Sequence, residues 1–185
     1  PPIKNGSAED ETLASGAASS DIDEWFDALN YTNTQHEDSA THPETPYGFN
    51  WIELGNGRWI YQQIGSYHEN VDLDISFLLG RATDKPGLAT RVSLFVGGDP
   101  SLAEDKSDKY DVNPLTNVVG ATLITSSALT PELATAGSIA EQAVTLSTGT
   151  GHKIGDPLWL QIDVADTGSG RVLIDNVQVK ENETP

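Results

Sequence analysis

The chain has 185 residues, no cysteine, and 10 Lys+Arg against 28 Asp+Glu, for a formal net charge of −18. The length fits a single module spanning 1–185, and the missing cysteines exclude a disulfide framework or thiolate metal site. A polyanion repels phosphate backbones and anionic lipid, so neither nucleic acid nor a membrane is an expected partner.

In chain order, the first twenty residues are small and polar, and 27–46 is rich in Asn, Thr, Asp and His and reads as a long loop. The chain starts Pro1-Pro2, which reads as a processed module. Strand signals begin at 48–52. Asn56-Gly57 marks a hairpin ahead of a strand over 59–64. The clearest strand is 71–79, whose apolar residues fall on odd numbers, the period of a strand with one buried face. Further strands are expected over 91–96, 118–125, 140–146, 158–164 and 171–179. The turn Asp166-Thr167-Gly168-Ser169-Gly170 joins the last two. The opening Thr130-Pro131-Glu132 suggests a short helix over 130–141. Glycines and prolines punctuate the chain too often for a helical bundle, and this many short strands give an antiparallel all-β sandwich.

Strand alternation sorts residues by side. Ile60 and Ile64 oppose Trp59, Tyr61 and Gln63. Val92, Leu94 and Val96 oppose Arg91, Ser93 and Phe95. Leu158, Leu160, Ile162 and Val164 oppose Trp159, Gln161 and Asp163, and the even side of 71–79 holds Asp72, Asp74 and Ser76. The first group of each set is a core face. The second mixes rings with hydrogen-bonding groups, as carbohydrate recognition requires: C–H faces pack on rings while hydroxyls bond to carboxylate, amide or guanidinium. The expected stacking residues are Trp59, Tyr61 and Trp159, with polar contacts from Arg91, Asp72 and Gln161. Tyr47, Asn50 and Trp51, beside the long loop, form an alternative site at the sandwich edge.

The ends carry the most specific pattern. Asn5-Gly6-Ser7-Ala8-Glu9 is followed by Ile22-Asp23-Glu24-Trp25. The chain closes on Gly170-Arg171-Val172-Leu173-Ile174-Asp175-Asn176-Val177. Ile60-Tyr61-Gln62 and Gly155-Asp156-Pro157-Leu158-Trp159-Leu160 add to it. This resembles the galactose-binding-like β-sandwich superfamily, which includes many carbohydrate-binding modules. Ala8 stands where that pattern usually has an aromatic residue, and Glu24 where it has Gly. The resemblance implies an all-β, antiparallel jelly-roll sandwich of eight to ten strands. It further implies a structural calcium ion held by Glu9 and Asp175 where the first and last strands meet. Hard oxygen donors at the two chain ends suit Ca²⁺.

Other groupings are weaker. Asp105, Asp108, Asp111 and Asn113 lack EF-hand spacing, as do Asp21 and Asp23. Asp72 and Asp74 lie roughly 6.5–7 Å apart on one strand side, within glycosidase reach, yet any acidic strand makes such pairs. Tyr67-His68 is the one adjacent Tyr-His pair of the kind used by some jelly-roll lyases, and it sits at a turn. The expectation is a non-enzymatic, monomeric carbohydrate-binding module of a secreted or cell-surface protein. Its partners are a polysaccharide and a catalytic domain of the same parent chain. The alternatives are a structural or adhesive sandwich without sugar binding and, less favoured, a lyase or hydrolase.

Overall fold

Alternation with period two builds nearly the whole molecule. The computed structural model describes every residue except 1–2, 5, 7, 11–12, 15–16, 20–21, 23, 29–31, 37–39, 106–113, 166–168 and 183–185. Eleven strands occur among the described residues: β1 (Ala18–Ser19), β2 (Phe26–Asp27), β3 (Thr32–His36), β4 (Asn50–Gly55), β5 (Trp59–Ser66), β6 (Asp72–Gly80), β7 (Thr90–Val96), β8 (Thr122–Ser126), β9 (Ile139–Ser147), β10 (Pro157–Val164) and β11 (Arg171–Asn182). They form a six-stranded sheet, β1-β3-β4-β11-β6-β9, and a five-stranded sheet, β2-β5-β10-β7-β8. Every pairing is antiparallel.

The core lies between the sheets and takes the apolar sides read from the sequence. Leu73, Ile75, Phe77 and Leu79 of β6 face Ile60 and Ile64 of β5, Val92, Leu94 and Val96 of β7, and Leu158, Leu160 and Ile162 of β10. The Asn56-Gly57 hairpin forms as expected. Arg58 N–H donates to Gly55 carbonyl oxygen at 3.1 Å, and Gly57 takes φ 68°, where a Cβ would be strained.

Two expectations are corrected here. The long loop over 27–46 contains β3, whose Thr32 and Thr34 are fully buried. A strand inside a sheet is held by backbone bonding on both edges, so Thr-Asn-Thr-Gln-His forms one without an apolar pattern. The helix over 130–141 is absent. Thr130 bridges to Thr90, and from Ile139 the chain is β9. Helical turns occur instead at Pro100–Leu102, a 3₁₀ turn capped by the Asp99 side chain, and at Leu115–Val119, a single π-helical turn.

Beyond the main core, each sheet carries a second apolar cluster on its outer face. On the five-stranded sheet this holds Trp59, Tyr61, Phe95 and Trp159, covered by Leu115, Val119 and Ala121. On the six-stranded sheet it holds Trp51, Leu78 and Leu173. Trp51 donates its indole N–H to Pro43 carbonyl oxygen at 2.8 Å.

Candidate functional site

The expected aromatic face is closed. Trp59, Tyr61, Trp159 and Gln161 are each no more than 1% exposed, so they do not project into water and no polymer can lie on them in this arrangement. The alternation holds, but the described chain at 97–105 and 114–121 roofs that side. Tyr61 Oη donates to Glu104 carbonyl oxygen at 2.8 Å and accepts from Glu104 N–H at 3.1 Å. Trp159 Nε1 donates to Gly97 carbonyl oxygen at 3.0 Å. The rings pack on one another, with Phe26–Tyr61 centroids at 5.1 Å, Trp59–Tyr61 at 5.5 Å and an edge-on Tyr61–Trp159 contact at 6.0 Å. Trp59 Nε1 and Gln161 Oε1 are buried with no hydrogen-bond partner among the described residues.

The polar residues of the expected site separate. Arg91 forks onto Asp163, directly opposite it on β10, with Nη2–Oδ2 at 2.8 Å and Nε–Oδ1 at 3.2 Å. Asp72 lies on the other sheet, paired with Asn182 and Ser147. At the alternative edge site, Asn50 and Trp51 are buried. Asn50 donates its side-chain amide to Ala8 carbonyl oxygen at 2.9 Å. Tyr47 is 40% exposed. Phe49, which the sequence reading passed over, is 62% exposed and stacks on His36 at 5.9 Å. Its only sequence signal was the Tyr47-Gly48-Phe49 spacing.

Beside Tyr47 runs a polar strip on the outer face of the six-stranded sheet. Three neighbouring strands contribute rows in register: Gln178, Ser76 and Ala143; Lys180, Asp74 and Thr145; Asn182, Asp72 and Ser147. Thr145 donates to Asp74 at 2.5 Å, and Gln178 donates to Asn176 at 2.9 Å. At the head of the strip Tyr47 Oη donates to Glu141 at 2.7 Å. That bond to a carboxylate raises the phenol's pKa.

Glu9 and Asp175 converge on chain 45–50. Glu9 Oε1 accepts from the backbone N–H groups of Phe49 at 2.8 Å and Asn50 at 2.7 Å. Gly48 is required there: its φ is 143° and a Cβ would sit 2.2 Å from the Glu9 carboxyl carbon. Asp175 is fully buried at the β11 bulge, where it accepts from the Thr45 hydroxyl and the Asn176 N–H. Val177 N–H donates to Gly6 carbonyl oxygen at 2.9 Å, joining the chain's start to its last strand. The donors are all oxygens, as a hard cation requires. No group of three or more acidic or imidazole side chains gathers among the described residues. A cation here would therefore draw on backbone carbonyls as well. Asn5, Ser7, Asp21, Asp23, Asp108, Asp111 and Asn113 lie outside the described residues. Tyr67 is buried and donates to Gly149 carbonyl oxygen at 3.1 Å, so the Tyr67-His68 pair does not present its phenol to a substrate.

Neither a family model nor a curated protein matches the sequence. Solved structures do match in shape. A Stig cyclase from Fischerella sp. TAU, in complex with (3Z)-3-(1-methyl-2-pyrrolidinylidene)-3H-indole, superposes with TM-score 0.71 at 14% identity, covering 100% of this chain and 98% of that one. A family 4 carbohydrate-binding module gives 0.54 at 15% identity over 97% and 99%. A family 22 xylan-binding domain from Paenibacillus barcinonensis gives 0.52 at 9% identity over 94% and 100%. The chain has the jelly-roll sandwich fold of such modules. No helix among the described residues is long and apolar enough to cross a membrane.

The roofed face has a measurable signature. Burial raises the Tyr61 phenol from 10 to about 12. The unfolded chain then ionises first, so this stability is complete below pH 10 and is lost as pH climbs through about 12. Urea unfolding midpoints fall across that window in the wild type and fall less in Tyr61→Phe.

Proposed function

We propose that this protein is a non-catalytic carbohydrate-binding module whose glycan lies on the outer face of the six-stranded sheet. The observation that supports this reading most is the exposed Tyr47 at the head of a three-strand polar strip, with the exposed Phe49 two residues further along the chain. Rings take the apolar faces of a sugar, while Glu141, Asn176, Gln178 and Asp74 suit its hydroxyls. Asp72 closes the far end. Anchoring a parent protein to a polysaccharide needs little affinity, because tethering raises effective concentration. An extracellular setting and an attached catalytic domain belong to the same proposal. Affinity electrophoresis on a polysaccharide panel tests it: at least one glycan retards the wild type, and Tyr47→Ala with Phe49→Ala weakens retention about tenfold. No retardation on any glycan favours a structural or adhesive sandwich instead. Cleaved or unsaturated product after long incubation identifies a lyase or hydrolase.

Calcium belongs to this proposal as a structural ion. Glu9 and Asp175 would hold it, and it would supply positive charge between two carboxylates that clasp the chain's start to β11. Chelator lowers the melting temperature of the wild type, and Asp175→Ala abolishes that response. An unchanged wild-type melting point removes the ion from the account.

The cyclase likeness favours a second reading. The partnerless Trp59 Nε1 and Gln161 Oε1 offer a donor and an acceptor within an aromatic cluster, suited to a small planar ligand rather than a polymer. Titration with indole, read by tryptophan fluorescence, separates the two. A saturable change lost in Gln161→Leu supports a small-molecule site, and a flat response removes it.

A further inference from the structure

Of the four strands that end the two sheets, three are guarded. β1 and β2 are two residues long, and β8 is five residues long with a register shift against β7 between Leu94 and Phe95. Short or bulged edges offer little backbone to another chain. β9 differs. It pairs with β6 without a shift from Asp72↔Ser147 to Gly80↔Ile139, and it contains no proline, lysine or arginine. Which backbone groups it leaves open follows from its two ends. Arg81 N–H donates to Ser138 carbonyl oxygen and Thr148 N–H donates to Val71 carbonyl oxygen, both at 2.9 Å. Bonded pairs alternate along an antiparallel ladder, so the even-numbered residues of β9 bond to β6. The N–H and C=O groups of Ile139, Glu141, Ala143, Thr145 and Ser147 point away from the sheet, and none has a partner among the described residues.

The side chains along that edge specify an occupant. On the inner side, Val144 of β9 and Ile124 of β8, its neighbour across the sandwich, are only partly buried where they pack on the main core. Apolar surface is left open between the two strands. On the outer side, Glu141 lies on β9 itself, and Asp74 and Asp72 stand one strand further in, opposite Thr145 and Ser147. None of these three carboxylates is ion-paired among the described residues. A strand laid along β9 therefore meets apolar surface with one set of alternate side chains and uncompensated negative charge with the other.

We propose that β9 docks an extended segment of another protein as an added antiparallel strand, in which apolar residues alternate with lysine or arginine. Main-chain bonds supply the affinity of such a contact and the alternating side chains its selectivity. A second copy of this chain is disfavoured at the same edge, because it brings a further net charge of −18. The inference does not rest on the glycan reading.

Heteronuclear NMR titration with a blocked peptide of alternating valine and lysine, nine residues long to match β9, tests it. Saturable amide shifts are expected at Glu141, Ala143 and Thr145. The same peptide with glutamate in place of lysine should give none. A lysine opposite Glu141 or Thr145 turns its N–H toward β9 in an antiparallel pairing. N-methylation of the lysines should therefore abolish binding, and N-methylation of the valines should not. Ala143→Pro removes one outward N–H and leaves the β6 ladder intact, and should weaken binding about tenfold. If that variant does not fold, the two methylated peptides still decide. No saturable shift with the lysine peptide, an equal response to the glutamate peptide, or indifference to the position of methylation overturns the proposal. So does concentration-dependent broadening of the same amides without peptide, which assigns the edge to a second copy. Glycan retention is scored separately, so failure of one reading leaves the other standing.

Discussion

Trp59, Tyr61 and Trp159 pack against Phe26, Phe95, Leu115 and Val119 on the outside of the five-stranded sheet. That contact governs where this protein meets anything else. A sheet buried on both faces cannot offer either one to a polymer. The roof over it is held by apolar burial plus backbone bonds at Gly97 and Glu104. Recognition is left to the other sheet, to the Tyr47–Phe49 segment, and to the ends of the sandwich. The buried ring cluster also retains two polar atoms, Trp59 Nε1 and Gln161 Oε1, with no hydrogen-bond partner among the described residues.

The period-two alternation in β5, β6, β7 and β10 was legible because burying one side of a strand constrains every second residue. Each of those apolar sides lies in the main core. Alternation says nothing about what covers the opposite side. Mixed aromatic and polar residues look alike under a loop or under water, and the roofing chain at 97–105 and 114–121 is joined to β5 and β10 only in three dimensions. The same limit hid Trp51, covered by Pro43 and its neighbours. Polar β3 was illegible for a different reason: its Thr side chains are buried, but nothing in Thr-Asn-Thr-Gln-His distinguishes it from a loop.

Glu9 and Asp175 were nominated by resemblance, and both reach the chain between Thr45 and Asn50. Gly48 is part of that arrangement through its lack of a side chain, a role visible only once Glu9 lies across it.

Strand β9 ends the six-stranded sheet and is nine residues long, with Glu141 its one charged side chain. Such a margin is a template for another chain's backbone, and proteins commonly guard it with lysine, proline or a bulge. Here a net charge of −18 supplies mutual repulsion between molecules as a whole. Colloidal behaviour is thereby coupled to ionic strength. The Debye length shrinks from about 10 Å at 0.1 M salt to about 3 Å at 1 M, and brine weakens the field that keeps two such margins apart.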